Sequence, residues 1–228
     1  MWSEDEAIAQ LAAWRWPRAV RCPLCERPHS MTRRMGTRRR WRCIINGHQF
    51  SVTTGTRLHH SHIPLATWMR AAALLCTREQ RTPATVLAQE LGLSYKTGLH
   101  VLGLLHQAMA AALAGVRLGP IIQATEIPWK GQRVAFAMTT AGQMRLGLNV
   151  RFEPWLGNIM AEKAVWIGLL EAGEQALRPV WRWLENPRHA RQAYLDELCW
   201  TWSRGPDLQA NLQSLFSYLL ERPSDGAV

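Results

Sequence analysis

The feature that most constrains this chain is Cys22-Pro-Leu-Cys25, followed after 17 intervening residues by Cys43 and five positions later by His48. A stretch of roughly 35 residues buries too little apolar surface to hold itself together, so it needs a staple. Thiolate and imidazole ligands are what Zn²⁺ prefers, in a tetrahedron of four, and two knuckles joined by a hairpin supply them. The first knuckle is complete. In the second, Asn46 stands where a fourth cysteine would fall and His48 is the substitute at hand, and spacing alone leaves open which of the two completes the site. Cys22, Cys25, Cys43 and His48 are therefore the candidate ligands of a structural zinc ion. The competing reading is three buried thiols and no metal. Cys76 and Cys199 fall on apolar helix faces and read as core.

Charge sharpens this reading. The net charge of the chain is +10. Residues 1–60 hold 11 Arg against 4 acids, whereas residues 117–228 nearly balance, with 12 basic and 11 acidic side chains. The densest run, Arg38-Arg39-Arg40 with Arg33, Arg34 and Arg42 nearby, sits between the two knuckles. A basic block of this kind binds polyanions through counterion release. The 24 Arg against three Lys could reflect base composition alone, so the clustering carries the inference. Apolar residues at 47% are enough for a real core, and no run of about 18 apolar residues lacks a charge or a turn, so no membrane span is expected. The opening MWSEDEA is acidic, unlike a secretory signal, and the expected compartment is the cytoplasm, in association with the nucleoid.

Hydrophobic periodicity and breakers lay out the rest. Helices are expected over 4–16, 64–79, 83–91 and 95–114, the second and third started by proline and the last capped by Ser94. Gly92-Leu93-Ser94 makes a tight turn between the third and fourth, the pattern of a helix-turn-helix. In that reading Val86, Leu87, Leu91, Leu93, Leu99 and Leu102 hold the pair together. Ser94, Tyr95, Lys96, Thr97 and His100 meet DNA, and Arg33, Arg34, Arg38, Arg39 and Arg40 anchor phosphates. An ordinary helical hairpin has the same pattern. His59, His60 and His62 read as loop histidines at the DNA-facing joint, with a metal role as the alternative. Beyond Gly115–Pro120, IIQATEI reads as a strand and 133–138 with 144–150 as a hairpin. Helices are expected over 159–171, 174–185, 187–203 and 207–221, with one Trp of each pair, Trp181/Trp183 and Trp200/Trp202, partly exposed.

The ordered set RWP, CPLC, RRRWRC, GHQFSVTTGT and LGLSYKT, from Ala7 to Met109, resembles bacterial insertion-sequence transposases that begin with a zinc ribbon. Those proteins continue through a helix-turn-helix into an RNase H-like DDE catalytic domain. Trp166-Ile-Gly-Leu-Leu-Glu-Ala-Gly173 and His189-Ala-Arg-Gln-Ala-Tyr-Leu-Asp-Glu197 are similar to elements near the end of that domain. The resemblance implies an α+β chain, mainly α, with an N-terminal helix at 1–19, a zinc ribbon at 20–58, a helix-turn-helix domain at 59–116 and a reduced RNase H-like remnant at 117–228. It places the family's first catalytic Asp on Thr125 and its catalytic Glu near Lys163, in a helix preceding Trp166. The interval 127–161 has no Asp, and Glu153 is its only carboxylate. Two-metal phosphoryl transfer needs clustered carboxylates. The expectation is a double-stranded-DNA-binding transcription regulator without strand transfer, in which 117–228 serves homodimerisation or partner contact. The alternatives are an active transposase using Glu126, Glu153 and Glu162, and a module contacting RNA or an acidic protein.

Overall fold

A computed structural model describes residues 2–25, 32–34, 40–78, 81–129, 131–168 and 192–223. Helix α1 (Glu4–Arg15) starts with a capping box: the Ser3 hydroxyl accepts from the Glu6 N–H at 3.2 Å, and the Glu6 carboxylate accepts from the Ser3 N–H at 2.7 Å. Ala7, Ile8 and Leu11 form its buried stripe. Strands β1 (Thr32–Arg34), β2 (Trp41–Cys43) and β3 (Gln49–Phe50) make a small antiparallel sheet in that order. Trp16 meets Trp41 and Phe50 edge-on at 5.3 and 6.0 Å, so the end of α1 and the ribbon share one aromatic cluster.

Three helices follow: α2 (Leu65–Thr77), α3 (Ala84–Leu91) and α4 (Tyr95–Ala114). The two carboxylate oxygens of Glu4 accept from the N–H groups of Leu65 and Ala66 at 3.0 and 2.9 Å, capping α2 from another helix where Pro64 offers no side-chain cap. Gly92 ends α3 in the left-handed region at φ +65°, and the Ser94 hydroxyl accepts from the Thr97 N–H to start α4. Helix α4 alone among the described residues is long and apolar enough to cross a membrane. Its apolar side is spent inside the protein, where Val101, Leu102, Leu105, Ala108 and Met109 are buried.

The α3–α4 contact differs from the expected one. Leu87 and Leu102 are buried as anticipated, but Leu99 is 48% exposed. Gly98 takes the inward position instead: a Cβ there would stand 2.8 Å from Ala88 Cβ and 3.1 Å from the Ala84 carbonyl oxygen. With Gly98, Leu102 and Leu105 turned inward, the neighbouring Leu99 is rotated about 100° toward solvent.

Strands β4 (Ile121–Trp129), β5 (Gln132–Thr139) and β6 (Met144–Leu148) form an antiparallel meander. Helix α5 (Phe152–Ile159) then leads to β7 (Val165–Ile167), which pairs parallel to β4, giving the order β6-β5-β4-β7. The helix expected over 159–171 is thus not present as such: α5 ends at Ile159, residues 160–164 are non-helical, and 165–167 are strand. A short apolar run suits either element, and here the free edge of β4 recruits it. The helix expected over 174–185, with Trp181 and Trp183, lies outside the described residues.

The chain then returns to its front. Helix α6 (Gln192–Ser203) packs on α4 and β6, and α7 (Leu208–Leu219) packs on α4, α2 and α1. Trp14 stacks on Phe216 at 5.7 Å, and the Arg57 guanidinium donates to the Tyr218 carbonyl at 2.7 Å while lying over its ring. Buried side chains from Ala7 to Leu220 belong to one cluster, and the far face of the sheet buries a second against α5, with Leu118, Ile122, Ala124, Ala137 and Leu156. Glu197 on α6 accepts from His106 Nε2 and from the Thr82 N–H, both at 3.0 Å, tying α6 to α4 and to the start of α3. Trp200 is buried and Trp202 is 38% exposed, the split expected of neighbours two apart on a helix.

Two glycines of one helix provide a paired test. Gly98→Ala should lower stability by about 1–3 kcal/mol through overpacking against Ala88. Gly103→Ala, where a Cβ meets nothing within 4 Å, should raise it by about 0.5–1 kcal/mol. Urea denaturation midpoints of the two variants should move in opposite directions.

Candidate metal centre and nucleic-acid interface

The two knuckles are brought together by β2 and the turn that follows it. Cys43 ends β2, and its N–H donates to the His48 carbonyl at 2.8 Å. The Gly47 N–H donates to the Cys43 carbonyl at 2.9 Å. This tight loop requires Gly47 at φ +69°, a conformation that favours glycine. It turns the imidazole of His48 back toward the first knuckle.

Cys22, Cys25 and His48 each offer a ligand atom, all within 4.8 Å of one another. The Cys22 and Cys25 Sγ atoms lie 3.9 and 3.8 Å from His48 Nδ1, and Cys25 Sγ lies 3.6 Å from Cys43 Sγ. A tetrahedron with Zn–S near 2.3 Å and Zn–N near 2.0–2.1 Å has edges of about 3.5–3.8 Å. These three distances are close to such edges, and Cys22, Cys25, Cys43 and His48 lie close together, an arrangement consistent with a structural zinc ion. Burial pushes the Cys25 thiol up to about 11, and the Asn46 N–H, at 3.5 Å from Cys43 Sγ, lowers that of Cys43. A divalent cation between them would hold both as thiolates, so metal uptake releases protons.

Asn46, the other residue that spacing leaves open for the fourth position, has a place in this site as a hydrogen-bond donor. Its side-chain Nδ2 donates to Cys25 Sγ at 2.8 Å. The residue standing at the missing cysteine position is thus an outer hydrogen-bond donor to a ligand sulfur. The only signal in sequence was its register with the first knuckle.

The expected DNA-contacting residues separate into groups. Arg33 and Arg34 lie on β1, in register with Arg42 and Trp41 of β2. Arg38 and Arg39 lie outside the described residues. Arg40 is exposed at the start of β2 and lines a groove of about 960 Å³ together with Gln49, Ser51, Thr53 and His62. Glu4, also in that groove, is engaged by the first N–H groups of α2. On α4, Tyr95, Lys96 and His100 are exposed, whereas the Ser94 and Thr97 hydroxyls face each other at 2.8 Å in the helix cap. Ser94 thus shapes the start of α4 before it offers anything to a ligand. His100 stands edge-on to Trp68 at 6.4 Å, and Trp68 Nε1 donates to Ser61 in the histidine loop, linking that loop to α4. His59 and His60 stack at 3.9 Å, and burial, with His60 and Arg15 adding to it, lowers the pKa of His59.

In the second half, Thr125 is half-buried on β4, on the face it shares with Ile127 and Trp129, and Glu126 is exposed on the opposite face. Lys163 and Glu162 are exposed in the non-helical link between α5 and β7, not in a helix. Among the described residues, the three side chains Cys22, Cys25 and His48 are the one group of His, Cys, Asp or Glu placed to share a metal ion.

Comparison with known proteins agrees with the front of the chain. Residues 2–44 match the transposase zinc-ribbon domain family. The match takes in α1, Cys22, Cys25 and Cys43 and ends before Asn46 and His48. No curated protein matches the chain. No solved structure matches it either. The match covers about a fifth of the chain and supports a transposase-related, zinc-ribbon protein.

Purified protein should carry one zinc per chain by elemental analysis. His48→Ala and Cys25→Ala should each lose it. Asn46→Ala should keep the stoichiometry but bind about 10–100-fold more weakly, as for other outer-shell partners. Zinc affinity should climb with pH across the neutral range, because the raised Cys25 thiol must give up its proton. Retention of zinc in His48→Ala would remove His48 from the ligand set.

Proposed function

We propose that this protein binds double-stranded DNA through its zinc ribbon and the α3–α4 pair, and regulates transcription without strand-transfer activity. The observation that carries the reading is the exposed start of α4. A glycine-ended helix and a Ser-capped second helix present Tyr95, Lys96 and His100 to solvent, in a chain that begins with a transposase-type ribbon. This arrangement suits a helix-turn-helix, whose second helix enters the major groove with its N-terminal residues toward the bases. The Arg-rich interval between the knuckles, with Arg40 at its exposed end, supplies sequence-independent phosphate contacts.

We read residues 117–228 as a reduced RNase H-like remnant, a short mixed sheet with helices on both faces, serving homodimerisation or partner contact. Support comes from β7, an edge strand whose Val165, Trp166 and Ile167 are all exposed. The reading without strand transfer rests on chemistry. Thr125, at the position of the family's first Asp, carries no charge with which to hold a divalent cation. The exposed Glu126, Glu153 and Glu162 do not form a metal-binding group with one another.

Duplex binding measured against salt concentration tests this. The logarithm of the binding constant should fall linearly with the logarithm of salt concentration. Lys96→Ala should weaken binding and reduce the slope by about one if Lys96 contacts a phosphate. With Mg²⁺ or Mn²⁺ present, the bound duplex should stay intact. Metal-dependent nicks that Glu126→Ala abolishes would establish a nuclease instead. Equal, sequence-blind binding to duplex DNA, RNA and heparin would favour a general polyanion module.

A further inference from the structure

The position of Leu99 carries a consequence for what α4 can recognise. It is 48% exposed, and Tyr95, one turn before it, is 58% exposed. The two lie at i and i+4, so they form one stripe on the outward side of the helix. Lys96 and His100, each one position further on, are exposed beside them. Gly103 continues the stripe at i+8 with no atom within 4 Å of where its Cβ would stand. The face is therefore an apolar line edged by Lys96 and His100 at the start of a helix.

The Lys96 ammonium, in a chain of net charge +10, makes a polyanion the fitting occupant, and the apolar line narrows the choice within it. The floor of the DNA major groove is almost entirely hydrogen-bond donors and acceptors. Its one apolar feature is the C5-methyl group of thymine. A leucine turned toward that floor would desolvate polar edges at a cost everywhere except against such a methyl. We infer that Leu99 is a specificity-determining residue that packs on a thymine methyl in the major groove, with Tyr95 covering the adjacent step. This rests on the reading of α4 as the DNA-facing helix and adds what it selects.

The test begins with duplexes enriched by the full-length protein from a random pool. Each dT of the enriched duplex is then replaced in turn by dU, which removes only the methyl group. Binding is followed by fluorescence anisotropy. At one or two positions dU should weaken the wild-type protein about fourfold, the effect of losing one buried methyl. Leu99→Ala should bind the dT and dU duplexes equally at that position while keeping the wild-type salt slope. Leu99 is exposed and alanine is a good helix former, and a thermal melt confirms that the variant folds. Sensitivity to dU that survives in Leu99→Ala, or its absence at every position in the wild type, overturns the inference and leaves DNA binding standing. Failure to bind any duplex, or binding without sequence preference, removes the parent reading and this one with it.

Discussion

Everything at the front of this protein depends on four side chains that must be held together from both ends of a hairpin. Cys22 and Cys25 come from one knuckle, Cys43 and His48 from another, and the strands of the ribbon are two or three residues long. Such strands do not persist on backbone pairing alone. The side-chain cluster fixes the hairpin, and Trp16, Trp41 and Phe50 fix the hairpin against α1. Burial and polarity thus do different work on its two sides. The aromatic side holds the ribbon to the body, and the ligand side sets its internal geometry. Arg33 and Arg34 on β1, and Arg40 before β2, are then carried on a stapled frame, which lowers the entropic cost of presenting them to a polyanion.

The second constraint is closure. Helix α7 packs among α1, α2 and α4, and Arg57 in the loop after the ribbon donates to the Tyr218 carbonyl. The buried Glu197 holds His106 and the Thr82 N–H at once, and Arg145 donates from β6 to the carbonyls of Leu113 and Val116 at the end of α4. These contacts brace α4 from behind along its length. A helix braced in this way keeps its outward face in a defined orientation, which is what reading a groove demands.

How much of this was legible in the sequence depended on whether the signal was local. Helix α4 was read with its observed ends, because Gly92, Ser94 and Gly115 are local stop and start signals. The Cys/His set was legible from spacing, and the β5–β6 hairpin from its turn residues. What failed was decided by neighbours. The run around Val165–Ile167 suits a helix or a strand, and only the edge of β4 settles it. Leu99 looked like core because leucine usually is, and the inward slot went to Gly98 since nothing larger fits against Ala84 and Ala88. The hydrogen bond from Asn46 to Cys25 joins residues 21 positions apart and has no periodic signature. The return of α7 to α1 is equally non-local: the amphipathic pattern at 207–221 showed a helix but not its partner.

We propose that a transposase-type grip on DNA serves regulation in this protein. Mapping the protein's occupancy across the genome of its native host tests that claim most directly. The account predicts discrete sites upstream of genes, sharing a sequence preference and lost when His48 is replaced by alanine. Occupancy confined to the ends of mobile elements, or spread evenly without preferred sites, would contradict it.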